Sequence, residues 1–327
     1  MRVLAIDIGG TKSSVGLCEL AGGIVTKVTG RTKFPSRNYE SMLDIVRDWQ
    51  KIHPESKFSA VGAGVAGPVQ NNKVNLTNLG WDIDGAAISG VLGLPVRICN
   101  DMEAHGWGIL GLTPEHVSVL NVGLSGDGAK ALIAAGTGLG ESVIGWNGIR
   151  HCPMAGEGGH SSFSPTNELE DRLLIFLRGQ ISGHVSWERV LGGYDGFRNL
   201  NKFLAHDSGH SLPNFILKLP SDQLDWGAAT VNAATGGDPF AEQVLTLYAR
   251  LYGKEASNLA LKCVPRGGVY LGGGVAPKIL PWLTKFFMDG FKDKGRFSNL
   301  LSNLPVNVIT DELNGLKGAA RQAVAPE

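Results

Sequence analysis

Two short stretches with the same pattern decide the fold class. Residues 5–11 read Ala5-Ile-Asp-Ile-Gly-Gly-Thr11, and residues 133–138 read Ile133-Ala-Ala-Gly-Thr-Gly138. Each is an apolar strand pattern that turns at Gly-Thr and runs into a second apolar strand. Chance likeness between two hairpins is the alternative interpretation. The repeat predicts a duplicated α/β fold with a nucleotide held between its halves.

Glycine is over-represented, with 46 of 327 residues, roughly twice the usual share of about 7%. The glycines are not periodic, and they cluster at predicted strand ends: 9–10, 62–67, 136–140, 156–159 and 272–274. Because glycine lets backbone N–H groups approach a ligand closely, five such turns suggest a phosphate-binding protein. A single cluster taken alone would do no more than join two strands.

Composition excludes several classes of protein. Lys+Arg and Asp+Glu are equal at 30 each, with no long run of one sign, which argues against nucleic acid or an anionic membrane as the partner. The four cysteines lie far apart, as free thiols in a reducing compartment do. With no long apolar stretch and no basic segment before the first strand, we expect a cytoplasmic protein without a membrane anchor.

Hydrophobic periodicity predicts the main elements. An antiparallel meander is expected at Val3–Ile8, Ser14–Leu20 and Ile24–Thr32, followed by a helix over Ser41–Ile52 with Ser41 as its N-cap. The clearest later helix is Pro239–Cys263, whose apolar residues keep to one broad face.

The length of 327 residues predicts two lobes. Because no low-complexity segment separates the halves, we expect a hinge between the lobes and not a tether. The predicted boundaries are 1–110 plus 306–327 for a small α/β lobe, and 111–305 for a large α+β lobe.

Four familiar nucleotide or metal motifs are excluded. Gly62-Ala-Gly-Val-Ala-Gly67 matches the dinucleotide fingerprint, but Pro68 and a further strand follow it where a helix is required. No P-loop and no D-F-G motif occurs in the chain. Cys152 and His160 match no zinc-ligand spacing.

Candidate residues for phosphate and metal come from the two Gly-Thr hairpins. Phosphoryl transfer needs a phosphate cradle, a metal ion near a carboxylate, and a base on the acceptor hydroxyl. Asp7 ends a buried strand, a costly place for a carboxylate unless it faces a ligand or metal. The following Gly9, Gly10 and Thr11 offer N–H and hydroxyl donors. Gly136, Thr137 and Gly138 offer a second donor loop.

Candidate residues for a polyol substrate follow three other strands or turns. Asn100 and Asp101 stand between a strand and a helix, where they fit both an N-cap and a base. Glu157 and His160, flanked by glycines, supply the acceptor and donor groups that vicinal sugar hydroxyls require. Glu188 either adds a second carboxylate or lies on a solvated helix face.

The ordered motifs resemble those of bacterial glucokinases along nearly the whole chain. The motifs are Asp7-Ile-Gly-Gly-Thr11, Asn100-Asp101, Ala135-Gly-Thr-Gly-Leu-Gly140, Gly156-Glu-Gly-Gly-His160, Gly183-His-Val-Ser-Trp-Glu-Arg-Val190, Leu271-Gly-Gly-Gly-Val275, Lys292-Asp-Lys-Gly-Arg-Phe297 and Leu304-Pro-Val306. The resemblance implies two ribonuclease H-like lobes of the actin-like ATPase fold, with the active site in the cleft between them. It also implies a homodimer that transfers a phosphoryl group from ATP to the 6-hydroxyl of glucose, with Mg²⁺.

The same resemblance implies a role for each candidate residue. Asp101 would be the base on the 6-hydroxyl, and Asp7 would lie near Mg²⁺, through water. The other roles are as follows: sugar hydroxyls for Asn100, Glu157, His160 and Glu188; phosphates for Gly9, Gly10, Thr11, Gly136, Thr137 and Gly138; adenosine for Gly272, Gly273 and Gly274.

Two departures from the family pattern affect the site. Lys12 stands where related enzymes often have Asn; we count it with the nucleotide-binding residues, but its role stays open. Residues 152–160 lack the multi-cysteine zinc signature of the ROK sugar kinases, so we expect no zinc. Asn78-Leu-Gly-Trp81 resembles a ROK motif, and Asn78 is therefore a candidate sugar ligand.

Three alternatives stay open from the sequence. The enzyme could act on another hexose, such as mannose or N-acetylglucosamine, since one C2 substituent separates these substrates. The fold could serve a non-enzymatic sugar sensor or repressor. The phosphate donor could be ADP or polyphosphate in place of ATP.

Overall fold

A computed structural model describes residues 1–220 and 225–326. The elements of the first third are β1 (Arg2–Ile8), β2 (Lys12–Ala21), β3 (Ile24–Pro35), α1 (Met42–Ile52), β4 (Ala60–Val65), β5 (Lys73–Leu76), β6 (Trp81–Asp84), α2 (Gly85–Leu92), β7 (Val96–Asn100) and α3 (Asp101–Ile109). The later elements are β8 (Val117–Asn121), β9 (Lys130–Ala135), β10 (Leu139–Trp146), β11 (His151–Gly156), α4 (Glu168–Gln180), α5 (Trp187–Leu191), α6 (Asp195–Asp207), α7 (Asn214–Leu217), α8 (Trp226–Thr235), α9 (Pro239–Cys263), β12 (Val269–Gly272), α10 (Leu280–Phe291), α11 (Ser298–Ser302), β13 (Val306–Ile309) and α12 (Asn314–Gln322).

The chain forms two compact units. Unit 1 contains residues 1–116, 151–155 and 311–327, and unit 2 contains residues 117–150 and 156–310. The boundaries expected from sequence, 1–110 plus 306–327 and 111–305, differ from these at residues 111–116, 151–155 and 306–310. Val306–Ile309 belongs to unit 2 because it pairs with β12 and β8.

Unit 1 is built on a five-stranded sheet of order β3-β2-β1-β4-β7. The expected meander is confirmed, since β1–β2 and β2–β3 pair antiparallel, while β4 and β7 continue the sheet in parallel. β1 is buried on both faces. Leu4, Ile6 and Ile8 pack in the core that contains Trp49 of α1. Val3 and Ala5 pack with Leu316 of α12.

Close packing of α12 onto its neighbours depends on glycine. A Cβ on Gly318 would lie 1.7 Å from the carbonyl oxygen of Ala104 in α3, and one on Gly62 would lie 2.2 Å from that of Ala319 in α12. The glycines that mimic a dinucleotide motif therefore let the helices approach the sheet. α3, which carries Asp101, is held against α12 by backbone contact.

Unit 2 contains a second sheet, with β10, β9, β12, β13 and β8 side by side in that order. β9 pairs antiparallel with β10 and parallel with β12. The long helix α9 begins at Pro239 and ends at Cys263, as the sequence predicts. Its Tyr252 hydroxyl donates to the Ile133 carbonyl (3.1 Å) and accepts from the Ala135 N–H (3.3 Å), which fixes the end of β9.

Cys18, Cys99, Cys152 and Cys263 are all free, as expected. Burial raises the pKa of Cys18 to about 12 and that of Cys263 to about 11. Over residues 1–220 and 225–326, no helix combines the length and apolarity that a membrane span needs.

The contact of Gly318 with α3 can be tested against a glycine of another helix in the same unit. Gly318→Ala places a methyl group against a carbonyl oxygen and should destabilise the protein by about 1–3 kcal/mol. Gly90→Ala in α2 adds a methyl group with no atom within 4 Å, so helix propensity should stabilise it by up to about 1 kcal/mol. Urea unfolding of both variants measures the difference. Equal stabilities would contradict the proposed close contact.

Candidate active site

The Gly-Thr turn of unit 1 is held by a buried serine. The Gly9 N–H donates to the Lys12 carbonyl (3.1 Å), which closes the turn between β1 and β2. The Ser36 hydroxyl donates to the Gly9 carbonyl (2.7 Å), and its N–H donates to the Thr11 carbonyl (3.0 Å). Because these bonds use carbonyl groups, they leave the exposed Thr11 hydroxyl free to face a ligand.

Asp7 is the partly buried carboxylate next to this turn. It lies on the same side of β1 as Val3 and Ala5, which pack towards α12. Burial raises the pKa of Asp7, and the charge of nearby His105 opposes that rise. Burial disfavours the charged form of a carboxylate, and a bound cation would favour it. Asp7 is therefore in a suitable place to lie next to a cation.

Asn100 and Asp101 cap α3, as the sequence suggests. The Met102 N–H donates to Asn100 Oδ1 (2.8 Å) and to Asp101 Oδ1 (2.9 Å). Asn100 Nδ2 also donates to the Gly67 carbonyl (3.0 Å), so both polar atoms of this side chain have protein partners. Burial is the main cause of the raised pKa of Asp101; His105 opposes it, and Asp7 adds to it.

Two more candidates of unit 1 lie near the turn. Asn78 is exposed, and its Nδ2 would lie 2.7 Å from a Cβ on Gly10. The Asn78 amide therefore lies next to the Gly-Gly turn. Lys12 begins β2 with an exposed side chain.

In unit 2, two glycine turns lie side by side because the parallel strands β9 and β12 end together. Gly273 has a φ of +79°, and a Cβ there would lie 2.2 Å from the Ala135 carbonyl oxygen, so only glycine fits. The Gly136 N–H donates to the Gly138 carbonyl (3.0 Å). Thus the 136–138 and 272–274 turns, which are 134 residues or more apart in sequence, form neighbouring surfaces.

A cavity of about 530 Å³ opens beside these turns. Its size is that of a small-molecule site. One end carries the polar backbone of Gly136, Thr137 and Gly274. The remaining wall is mixed, with these other lining residues: Gly193, Tyr194, Phe197, Asp225, Gly227, Ala228, Val231, Val275, Lys278 and Ile279.

Glu157, His160 and Glu188 come together in unit 2. His160 Nε2 lies 3.8 Å from Glu157 Oε2, and His160 Nδ1 lies 4.0 Å from Glu188 Oε1. The side chains of Glu157 and His160 are 76% and 59% exposed, whereas that of Glu188 is 25% exposed. Three groups with acceptor and donor capacity therefore face one region that a ligand can reach.

Glu188 does not lie on a solvated helix face, the other interpretation of its sequence. Its Oε2 accepts the Leu139 N–H (3.1 Å) directly after the 136–138 turn. The Trp187 N–H donates to the Ser161 carbonyl (3.0 Å), and His184 Nε2 donates to the His160 carbonyl (2.9 Å). One segment thus connects the Gly-Thr turn with the loop that carries Glu157 and His160.

Sequence reasoning missed several residues of these sites. His105 lies one turn after Asp101 on α3, and that i, i+4 spacing was the only signal for it. No sequence pattern indicated Ser36, because its hydroxyl donates to the carbonyl of a residue that lies 27 positions away in the chain. Phe197 of α6 and Val231 of α8 line the cavity from helices that sequence periodicity did not predict, and Tyr194 lines it from the residue before α6.

Within 1–220 and 225–326, no cluster of three or more His, Cys, Asp or Glu side chains could hold an ion. A magnesium ion needs fewer protein ligands, because it is usually bound through one or two carboxylates together with phosphates and water. Asp7 beside the Gly9–Thr11 turn fits that pattern.

Comparison with known proteins now decides the family. The family model described as Glucokinase matches residues 4–325. The chain belongs to the glucokinase family. A glucokinase of Synechocystis sp. is 38% identical over an alignment that covers 98% of this chain and 97% of that protein. Enzymes of the family are hexose kinases, a class of transferase.

Solved glucokinases share the fold. The structure of a glucokinase from an Antarctic psychrotroph has a TM-score of 0.85 and 28% identity, with 98% of both chains covered. A ROK family glucokinase from Streptomyces griseus, in complex with glucose and AMPPNP, has a TM-score of 0.68 and 23% identity, with 98% of this chain and 99% of that chain covered. The glucokinase described here has the actin-like ATPase fold of these enzymes.

The bond from Leu139 to Glu188 can be tested by two substitutions. Glu188→Ala removes the acceptor and leaves the Leu139 N–H unpaired, which should cost about 1–3 kcal/mol of stability. Glu188→Gln keeps an acceptor oxygen and should cost less. Urea unfolding and the amide exchange rate of Leu139 measure the effect. If Ala and Gln at this position were equally stable, the bond would not support the loop.

Proposed function

We propose that this glucokinase transfers the γ-phosphoryl group of ATP to the 6-hydroxyl of D-glucose. The observation that carries the proposal is the convergence of Glu157, His160 and Glu188 on one exposed region. It is supported by the bond that joins Glu188 to the end of the 136–138 turn. Sugar-binding groups and a phosphate-binding turn are thereby connected within unit 2.

Recognition of the sugar follows from the chemistry of the three side chains. A pyranose offers neighbouring hydroxyls that both donate and accept hydrogen bonds. Carboxylates accept from hydroxyl groups, and an imidazole donates with one nitrogen and accepts with the other. We propose that Glu157, His160 and Glu188 hold ring hydroxyls in this way. Asn78 would add its amide group. Asn100 would add the hydrogen-bonding capacity of its amide that the bonds with the Met102 N–H and the Gly67 carbonyl do not use.

Asp101 is the proposed general base. As the bond forms between the sugar oxygen and the γ-phosphorus, the bond from that phosphorus to ADP breaks, and ADP leaves with the electron pair. The hydroxyl proton passes to the Asp101 carboxylate. A pKa raised by burial supports this role, because a base works best when its pKa approaches the working pH.

The nucleotide would be held by glycine turns, with residues 136–138 and 272–274 near one another. The 530 Å³ cavity lined by Gly136, Thr137 and Gly274 supports a place for adenosine. Gly272 and Gly273, which directly precede Gly274 in the chain, would belong to the same site. Gly9, Gly10, Thr11 and Lys12 would face the phosphates. Asp7 would hold Mg²⁺ through water, and the ion would supply charge neutralisation on the phosphate oxygens.

The role of Asp101 can be tested with an isosteric variant. Asp101→Asn keeps the shape and an acceptor for the Met102 N–H, but it cannot take a proton at neutral pH. We expect kcat to fall by about 10²–10⁴-fold, with glucose affinity changed by only a few fold. A coupled assay of ADP release gives kcat, and calorimetry gives the dissociation constant. Asp48→Asn, at an exposed ion pair with Lys51, is the control.

Wild-type turnover by Asp101→Asn would rule out this residue as the base. The same ADP assay, run with ATP and glucose, mannose or N-acetylglucosamine, tests the substrate. An assay of the hexose 6-phosphate formed with ATP, ADP or polyphosphate tests the donor. No turnover with any sugar, together with salt-sensitive DNA binding, would favour a sensor. A homodimer and a cytoplasmic location stay predictions; light scattering tests the former.

The cavity can be tested by filling it. Ala228 lines the cavity from α8, so Ala228→Phe should raise the KM for ATP by about tenfold or more, equivalent to at least about 1.4 kcal/mol. The KM for glucose should change little. Asn232→Phe, at an exposed position on the same helix, is the control. An unchanged KM for ATP would place the nucleotide elsewhere.

A further inference from the structure

Two buried carboxyl groups of unit 2 have no part in the proposed reaction. Glu141 lies on β10 and is 3% exposed, and Glu255 lies on α9 and is 1% exposed. Burying even one carboxylate is unfavourable unless it is paired with a cation or bonded to donors. Two of them in contact therefore need a physical explanation.

The side chains of Glu141 and Glu255 lie within hydrogen-bonding reach of each other. Carboxylates only accept, so a hydrogen bond between the two requires a proton on one of them. Burial is the main cause that raises the pKa of both groups, that of Glu255 to about 9. Asn258 Nδ2 donates to Glu255 Oε2 (2.8 Å). Oε1 of each glutamate is buried and finds no donor within the described ranges.

Glu141 supports the sugar-binding loop, which we define as residues 156–160. Its Oε2 lies 1.9 Å from where a Cβ of Gly158 would be, so the carboxyl group fills the space under that glycine. The carbonyl oxygen of Leu139, two residues earlier on β10, would lie 2.0 Å from a Cβ of Gly159. Glu157 and His160 flank these two glycines.

The other titratable groups around the pair do not take over the role of the proton, which is to neutralise one of the two carboxylates. Lys262 of α9 lowers the pKa of both carboxyl groups, but burial outweighs it. Tyr252 and Cys263 also lie on α9. Burial raises the pKa of both groups, and the charge of Glu141 adds to that rise. Lys294 follows α10. Burial lowers its pKa, and the charge of Glu255 opposes that change. A cavity of about 500 Å³ lined by Glu255, Lys262 and three serines gives the pair access to protons.

We propose that Glu141 and Glu255 are positioning residues for the sugar-binding loop, and that they keep it in place only while the pair shares one proton. Loss of that proton leaves two charged carboxylates in contact in a buried place, where they repel each other. Glu141 can then move only towards Gly158 or away from it, and either movement displaces Glu157 and His160. The glucose-binding part of this inference rests on the proposed function.

The first test measures the KM for glucose between pH 7 and pH 10 in the wild type and in Glu255→Gln. The glutamine amide donates the same bond but has no proton to lose in this range. In the wild type, KM should rise above about pH 9 by up to about tenfold per pH unit, while the variant should stay flat. kcat should follow one pH profile in both proteins. Glu168→Gln, exposed on α4, should behave as the wild type does.

The second test needs no substrate. Between about 4.5 and about 9 the folded protein holds a proton on Glu255 that the unfolded chain has released. The unfolding constant of the wild type should therefore increase with pH, relative to Glu255→Gln, by up to about tenfold per pH unit. Amide exchange in residues 156–164 at pH 9.5 should be faster in the wild type than in the variant.

The outcomes separate the two proposals. Parallel KM profiles, or equal exchange of the loop, would overturn the positioning role. A pH-independent ratio of unfolding constants would overturn the shared proton. If Glu255→Gln does not fold, a flat wild-type KM to pH 10, with the fold intact by circular dichroism, overturns the proposal. If no sugar is phosphorylated at any pH, the proposed function fails, and the unfolding and exchange data still decide the role of the pair.

Discussion

Direct backbone packing that only glycine permits is the constraint on which both units depend. In unit 1 it brings α12 against β4 and against α3, the helix that begins at Asp101. In unit 2 it places the Gly272–Gly274 turn against Ala135, and Gly159 of the sugar-binding loop against the Leu139 carbonyl. Side chains of any size would separate these segments by ångströms, and the candidate residues on them would lose their mutual positions. The high glycine content thus has a structural origin as well as a ligand-binding one.

How much the sequence predicts depends on whether a feature is local. The hairpins, the Ser41 and Asn100 caps and the full length of α9 rest on local patterns, and the structure confirms them. The convergence of Glu157 and His160 was also local, since three residues separate them. Contacts such as Glu141 with Glu255 join residues more than 100 positions apart, and one sequence without long-range information does not indicate them. The Gly62–Gly67 motif is the opposite case. Its pattern is local in the sequence, but the reason for Gly62 is the close packing of α12 against the sheet.

Desolvation acts on several carboxyl groups of this glucokinase with different results. Asp7 and Asp101 are only partly buried and lie near His105, which limits the rise in their pKa. Such groups can stay charged and meet a cation or a proton from a substrate. Glu255 is almost wholly enclosed and shares its environment with a second carboxyl group, and both raise its pKa, to about 9. Burial and neighbouring charge together decide which carboxyl groups are reactive and which are structural.

The discontinuity of unit 1 has a consequence for synthesis on the ribosome. The chain passes through all of unit 2 before it supplies α12, whose Leu316, Ala319 and Ala320 cover one side of the first sheet. Until those residues emerge, the apolar side chains of β1 and β4 on that side have no cover. Domains usually fold in the order in which they are translated. Here the synthesis of unit 1 begins before that of unit 2 and ends after it. A nascent chain would therefore expose an unfinished sheet during most of elongation, a surface on which general chaperones act.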